Sequence, residues 1–418
     1  MGGPYNPIKT EYGGQVDYAR LTAEKRAKAK KAMEEYNLEA VIACLHENCV
    51  YLSVGCHGTG ADYRYVVFPI TGEPIVHESG MADRATKLAI PEVKSHYAIP
   101  IPPGLLPWNK PAYDNQVKKW ANQIKGELKA SGIDISKARV GIDMADVTRI
   151  EALKAVGINV TTDGGPALRG ARSIKTKDER ELMRQACAVV EACFHTVLQK
   201  LRPGMTEKQI YGEIARTAWY SGAEGLDGGH VSSGPHSYPI AASMSDRLIR
   251  PGDIVLIDIF NLSFQGYRTC YYRNFSVGKP TEAQQDAWKR AVETTWDAIR
   301  QLKPGVSTKD LVRSWPKAEN FGYPDGEDSA AMAQWAHGIG LSLYSDAPMV
   351  SRIWSTEYPE ELKEGMILAI ETEWPTGEVT GAYPQGQMLR IEEEIAITKD
   401  GYDVLSQWPI DEITVCWG

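Results

Sequence analysis

Apolar and polar positions alternate along the chain in two styles, first as helices interleaved with strands, then as long helices followed by strongly apolar strands. LTAEKRAKAKKAMEEYNLEAVIACL carries apolar residues at spacings of three and four, as a helix requires, and at Asn37 gives way to the strand-like AVIACL. The same order recurs. YRYVVFPITGEPIVHESG reads as two strands around a Thr-Gly turn and NQVKKWANQIKGELKASGI as a helix ended by Gly132. ARVGIDM follows as a strand and VTRIEALKAVGI as a helix ended by Gly157. These elements predict an α/β domain over residues 20–171. Residues 1–19, rich in Gly, Pro and Tyr, read as an N-terminal arm that needs another surface to be ordered.

The pattern changes near Arg172, where a second domain, 172–418, is expected to begin. RSIKTKDERELMRQACAVVEACFHTVLQKLRPGMTEKQIYGEIARTAWYSG predicts two long amphipathic helices separated by Arg-Pro-Gly, the second with Thr206 as its N-cap ahead of Glu207. Strands follow in HVSSG, IVLIDIF and YYRNFSVG, then the long helix TEAQQDAWKRAVETTWDAIRQL and the strand-rich MILAIETEWP and MLRIEEEIAIT. No internal repeat is evident at the level of identity.

A chain of 418 residues that is 43% hydrophobic and 24% charged has ordinary globular composition and can bury a large core. With a net charge of −8 and no Lys/Arg run interleaved with aromatics, a small-molecule substrate is the expected partner, with no nucleic acid and no membrane. No stretch approaches the roughly 18 apolar residues of a membrane span, and MGGPYNPIKTEYGG lacks the features of a secretion signal, so a cytoplasmic protein is expected. The seven cysteines (Cys44, Cys49, Cys56, Cys187, Cys193, Cys270 and Cys416) are odd in number and irregularly spaced. That suits reduced thiols, and Cys44 and Cys49 read as small core residues.

Candidate chemistry gathers in the second domain. Asp258 lies in IVLIDIF, a run apolar enough for a central strand, where a carboxylate is costly unless a cation, a proton or several donors neutralise it. AHGIGLSLYSDAP sets His337 before a glycine-rich turn. MILAIETEWP places Glu371 and Glu373 on one face of a strand, and MLRIEEEIAIT does the same with Glu392 and Glu394. Acidic residues in several apolar strands, together with a glycine-flanked histidine, read as one convergent site.

The ordered set PGDIVLIDIF, GYRTCYYRNF, HGIGL, ILAIE and LRIEEEIAIT resembles the pita-bread superfamily of aminopeptidase P, prolidase, methionine aminopeptidase and creatinase. HENCVYLSVG resembles the creatinase-type N-terminal domain, so the likeness covers nearly the whole chain. It implies an α/β N-terminal domain plus an α+β pita-bread catalytic domain, assembled as a homodimer. The superfamily's metallopeptidases hold two metal ions with Asp, Asp, His, Glu and Glu. The resemblance carries the first Asp to Asp258, the His to His337 and the glutamates to Glu371 and Glu392, and it sets Cys270 in place of the second, bridging Asp. Ala241 and Tyr344 or Ser345 stand where two substrate histidines would be.

Three readings of this altered site follow. In one, Cys270, His337, Glu371 and Glu392 hold a single divalent ion (zinc, iron or manganese) while Asp258 does other work, as in a mononuclear hydrolase or an Xaa-Pro peptidase-like enzyme. In another, no cofactor is bound and the carboxylates grip a cationic substrate, as in creatinase. In the third, the site catalyses elimination, as in the superfamily's dimethylsulfoniopropionate lyases. The second is preferred, because clustered carboxylates without a cation repel one another and need a positive partner. It predicts a hydrolase of a non-peptide C–N bond in a guanidinium, amidine or quaternary ammonium compound, with peptidase activity doubtful. His337, Glu371, Glu392 and His236 are its catalytic candidates. Asp258, Glu373, Tyr344, His230 and Arg64 are its substrate-binding candidates, with Arg64 and His57 reaching across a dimer. Tyr63, Tyr65, Trp335 and Trp354 are candidates for an aromatic cage, and Arg273 for a strand buttress. A binding protein without activity is the competing class.

Overall fold

The computed structural model describes residues 16–53, 64–78, 94–99, 101, 109–238, 244–317, 320, 334–344, 346–377 and 386–417. Most of the expected N-terminal arm lies outside these residues, as do His57, Tyr63, Ala241 and Ser345. The chain divides into two compact units, Met1–Arg172 and Ser173–Gly418.

In the first unit, helix α1 (Tyr18–Glu35) starts at Asp17, whose carboxylate accepts the backbone N–H groups of Ala19 and Arg20. Strand β1 (Ala40–Ala43) and helix α2 (His46–Ser53) follow, then β2 (Tyr65–Pro69), β3 (Ile75–Glu78) and β4 (Lys94–Tyr97). Helix α3 (Lys110–Ala130), β5 (Val140–Ile142), α4 (Val147–Ala155), β6 (Val160–Thr161) and α5 (Gly164–Ser173) complete it. Gly132 and Gly157, just past α3 and α4, have φ of +80° and +89°, the left-handed conformation in which glycine ends a helix without a Cβ clash. The six strands form one sheet in the order β4-β3-β2-β1-β5-β6. The central β1 is buried along its length, antiparallel to β2 and parallel to β5, which is why AVIA is apolar at every position.

The second unit opens on helices α6 (Lys177–Lys200) and α7 (Glu207–Tyr220), each begun by a reciprocal capping box, Thr176 with Glu179 and Thr206 with Gln209. Strands β7 (Gly225–Leu226), β8 (His230–Ser233), β9 (Ile254–Asp258), β10 (Leu262–Phe264), β11 (Tyr267–Arg268) and β12 (Tyr272–Val277) lead to helix α8 (Glu282–Ile299). Strands β13 (Gln334–Gly338), β14 (Asp346–Ser351), β15 (Ile367–Pro375), β16 (Met388–Ile397), β17 (Tyr402–Val404) and β18 (Thr414–Cys416) follow. They make three sheets, ordered β11-β10-β7, β18-β12-β9-β8 and β14-β13-β15-β16-β17. Trp288, Ala291, Leu389, Ile391 and Ile254 join α8, β16 and β9 in one apolar cluster, so two of the sheets share a core.

Candidate metal centre

Asp258 is the last residue of β9 and pairs with Tyr272 of β12. Cys270 sits in the short link between β11 and β12. His337 comes from β13, and Glu371 and Glu392 are direct cross-strand neighbours on β15 and β16. Cys270, His337 and Glu392 converge: one potential ligand atom from each lies within 4.8 Å of the other two, and all three side chains are buried. His337 Nε2 is 3.6 Å from Glu392 Oε1. On its other side, His337 Nδ1 lies 3.3 Å from the Gly338 carbonyl. A carbonyl can only accept, so Nδ1 carries the proton and Nε2 keeps a lone pair directed at the cluster.

Neither carboxylate oxygen of Glu392 has a hydrogen-bond partner of ordinary geometry, nor does Asp258 Oδ1. Burial pushes the Asp258 carboxyl well above its usual range, and the Glu392 and Glu371 charges add to the shift while the Tyr272 hydroxyl opposes it. Glu371 and Glu392 are each raised to about 8, again by burial first, with Glu392 also acting on Glu371. Burial lowers His337, favouring neutral imidazole. A buried thiol, a neutral imidazole lone pair and carboxylate oxygens without a partner of ordinary geometry are what a cation would satisfy, so the residues fit a divalent ion. The surrounding shell is ordered too. Glu394 accepts the Cys270 backbone N–H at 2.9 Å, and Arg273 donates to the Glu392 carbonyl at 2.8 Å and to the Glu393 carboxylate at 2.6 Å, the buttress expected of it.

The remaining predicted site residues divide. His230 lies opposite Asp258 across β8 and β9, and its ring packs on Phe260 with centroids 5.0 Å apart. Tyr344 sets its ring edge-on to His337 with centroids 4.8 Å apart and is partly exposed. Glu373 is buried in an ion pair with Arg390 of the facing strand, so its charge is already compensated. His236 is held elsewhere: the register sets Ser233 opposite Val255, three residues and about 10 Å along β9 from Asp258, and His236 follows beyond it. Its Nδ1 lies 2.9 Å from a carboxylate oxygen of Glu207. Arg64 belongs to the first unit, where its buried guanidinium pairs with Glu78. No cage forms among the described aromatics: Tyr65 stacks on His77, Trp335 stacks on Trp315 and Trp354 meets Tyr358.

Sequence reasoning missed Glu207, which is fully buried and accepts from the backbone N–H and hydroxyl of both Ser233 and Ser245 as well as facing His236. At the first position of a helix, glutamate carries no pattern that separates this role from an exposed one. The Arg390–Glu373 pair was readable only from cross-strand register.

Residues 181–399, just over half of the chain, match metallopeptidase family M24, and the protein belongs to that family. Its architecture is the pita-bread metallopeptidase-like fold with an N-terminal α/β domain. An Xaa-Pro dipeptidase of Pyrococcus horikoshii is 25% identical over 392 residues, 90% of this chain and 95% of its own length. One from Pyrococcus furiosus is 28% identical over 242 residues, 56% of this chain and 63% of its own length, less than two thirds of that relative. The solved Xaa-Pro dipeptidase from Bacillus anthracis superposes with a TM-score of 0.72 at 19% identity, covering 94% of this chain and 99% of that one.

These relatives overturn the expectation of a creatinase-like hydrolase acting on a non-peptide C–N bond, and with it the doubt cast on peptidase activity. That expectation treats Cys270 as a lost oxygen ligand and leaves the carboxylates in need of a cationic substrate. In the structure the thiol stands beside His337 and Glu392 as a donor, so the positive partner the carboxylates need is supplied by a metal ion as readily as by a substrate.

Proposed function

We propose that the protein is a metal-dependent hydrolase of the Xaa-Pro dipeptidase type, in which Cys270, His337 and Glu392 hold one divalent ion and Asp258 and Glu371 flank it. The observation that carries this reading is the buried convergence of thiol, imidazole and carboxylate in a member of family M24. The ion when bound supplies Lewis-acid polarisation of a carbonyl and a hydrolytic water of lowered pKa. Replacing a bridging carboxylate by a soft thiolate supports one ion over two, and zinc or iron over manganese. Of the chain's own groups, His337 is held by the Gly338 carbonyl in the tautomer that leaves Nε2 free. Glu371, beside Glu392, is the carboxylate placed to take up a proton from water, and Tyr344 and His230 border the substrate space. A homodimer in the cytoplasm is the setting this reading assumes, and sedimentation tests the first part.

The test is release of proline from a dipeptide such as Ala-Pro by protein stripped with a chelator and reloaded. Zinc is expected to restore hydrolysis to the wild type and to leave C270A inactive. A panel of Xaa-Pro dipeptides left intact by protein carrying one ion per chain would overturn the reading.

A further inference from the structure

Deep in the second unit, Lys175 Nζ lies 2.9 Å from Asp346 Oδ2, and both side chains are 1% exposed. A buried lysine–aspartate pair is a weak way to stabilise a fold, since desolvating both charges offsets much of their attraction, but it is directional. Its placement gives it a use. Asp346 pairs with Gly338 where β13 meets β14, one residue beyond His337, at a point where the strand register shifts. The pair also packs directly on Gly340. A Cβ there would come within 2.4 Å of Asp346 Oδ2 and 2.7 Å of Lys175 Cε. The Gly340 carbonyl in turn accepts the backbone N–H of Arg268 at 2.7 Å, two residues before Cys270. Lys175 is itself tied down, its N–H bonded to the Gly365 carbonyl at 2.7 Å.

One ion pair thus braces a turn that touches both the strand carrying His337 and the strand leading to Cys270. We propose that Lys175 and Asp346 are positioning residues for the metal centre, fixing the separation of the His337 imidazole from the Cys270 thiol. The inference rests on the metal reading above and adds to it residues that touch no ligand atom. Without the pair, the turn at Gly340 is free to shift, and the two donors it connects no longer meet one ion at good geometry. Outer residues that orient metal ligands change affinity by about ten- to a hundred-fold when lost.

Cobalt(II) is the probe, because thiolate ligation gives a charge-transfer band that reports Cys270 directly. The double variant K175M/D346L removes both charges together and leaves neither one buried alone. Its expected behaviour is a metal-free melting temperature near that of the wild type, a cobalt affinity about ten-fold or more weaker and a diminished thiolate band. K175R keeps the charge and is expected to retain more of the affinity and the band than the double variant. Should K175M/D346L fail to fold, K175R and G340A carry the test, with G340A forcing the pair off the turn and weakening cobalt binding. Unchanged affinity and an unchanged band in a folded double variant would overturn the positioning role while leaving the metal reading intact. Failure of all these variants to fold would assign the pair to stability and overturn it equally. A wild-type protein without a thiolate band, or a C270A protein that binds cobalt as well as the wild type, would instead sink the metal reading itself.

Discussion

Glu392 stands at the centre of the site's electrostatics, with two buried oxygens that find no ordinary donor and a charge that pushes up the carboxyls of both Asp258 and Glu371. Such an arrangement costs stability in the metal-free protein and is recovered when a cation enters. E392Q tests this directly. The carboxyl, raised to about 8, must take up a proton when the metal-free chain folds at neutral pH, a cost that a neutral amide does not carry, so the variant is expected to be more stable than wild type in chelator by about 1–3 kcal/mol. The same variant should show little of the rise in melting temperature that zinc gives the wild type. Denaturant melts with and without zinc measure both effects, and a metal-free E392Q less stable than wild type would contradict the account. Cys270 shows the other side of residue-scale reasoning. Its place in GYRTCYYRNF was visible as a departure from the resemblance, but whether a thiol subtracts a ligand or supplies one depends on which donors face it. That is set by the partners of β13 and β16, and sequence does not print them.

At the scale of elements, Glu207 ties the start of α7 to the end of β8 and to Ser245, accepting from two backbone N–H groups and two hydroxyls. Burial alone would raise its pKa, but the hydrogen bonds from Ser245, His236 and Ser233 outweigh it and hold the carboxyl below its usual value. An acid whose folded pKa is depressed adds stability that is present above its unfolded pKa and lost as pH falls through the folded one. E207A is therefore expected to be destabilised by about 2–4 kcal/mol at neutral pH, with the gap to wild type closing as pH drops below the ordinary glutamate range near 4.5. Denaturation curves at pH 7 and pH 4 decide it, and a gap that widens in acid would refute the sign. The helices and strands themselves were largely legible. Gly132 and Gly157 mark helix ends, Thr206 caps α7, and IVLIDIF, MILAIETEWP and MLRIEEEIAIT become β9, β15 and β16, because period and turn residues are local signals. Glu371, Glu392 and His337 were legible as a group for the same reason. His236, Arg64 and Glu373 were not, since each has a partner (Glu207, Glu78 and Arg390) contributed by a distant or facing element, and that partner decides whether a polar side chain serves the site or the scaffold.

Across the whole molecule, each unit has a core of its own. In the first it runs from Ile42 and Val67 through Trp120 to Ile142, and in the second around Trp315, Trp335, Leu368 and Ile395 and around Trp288 and Ile391. Every donor of the candidate centre belongs to the second unit, and the donors come from different sheets: Cys270 lies in the link that leads into β12 of the four-stranded sheet, whereas His337 and Glu392 lie in the five-stranded one. An ion held between them would act as a clamp on sheet against sheet, adding to the stability of that unit alone by RT ln(1 + [L]/Kd), about 4 kcal/mol at a thousand-fold excess over Kd. Opening of the strands around the site would then be suppressed without any change in the first unit. Hydrogen exchange with and without zinc should accordingly show slower exchange for backbone amides of β9, β12, β13, β15 and β16 in the loaded protein, and the same rates in both states for β1, β2 and β5. Protection spread evenly over both units, or absent from β13 and β16, would mean that the ion is not bridging these sheets and that the convergence of Cys270, His337 and Glu392 serves some other end.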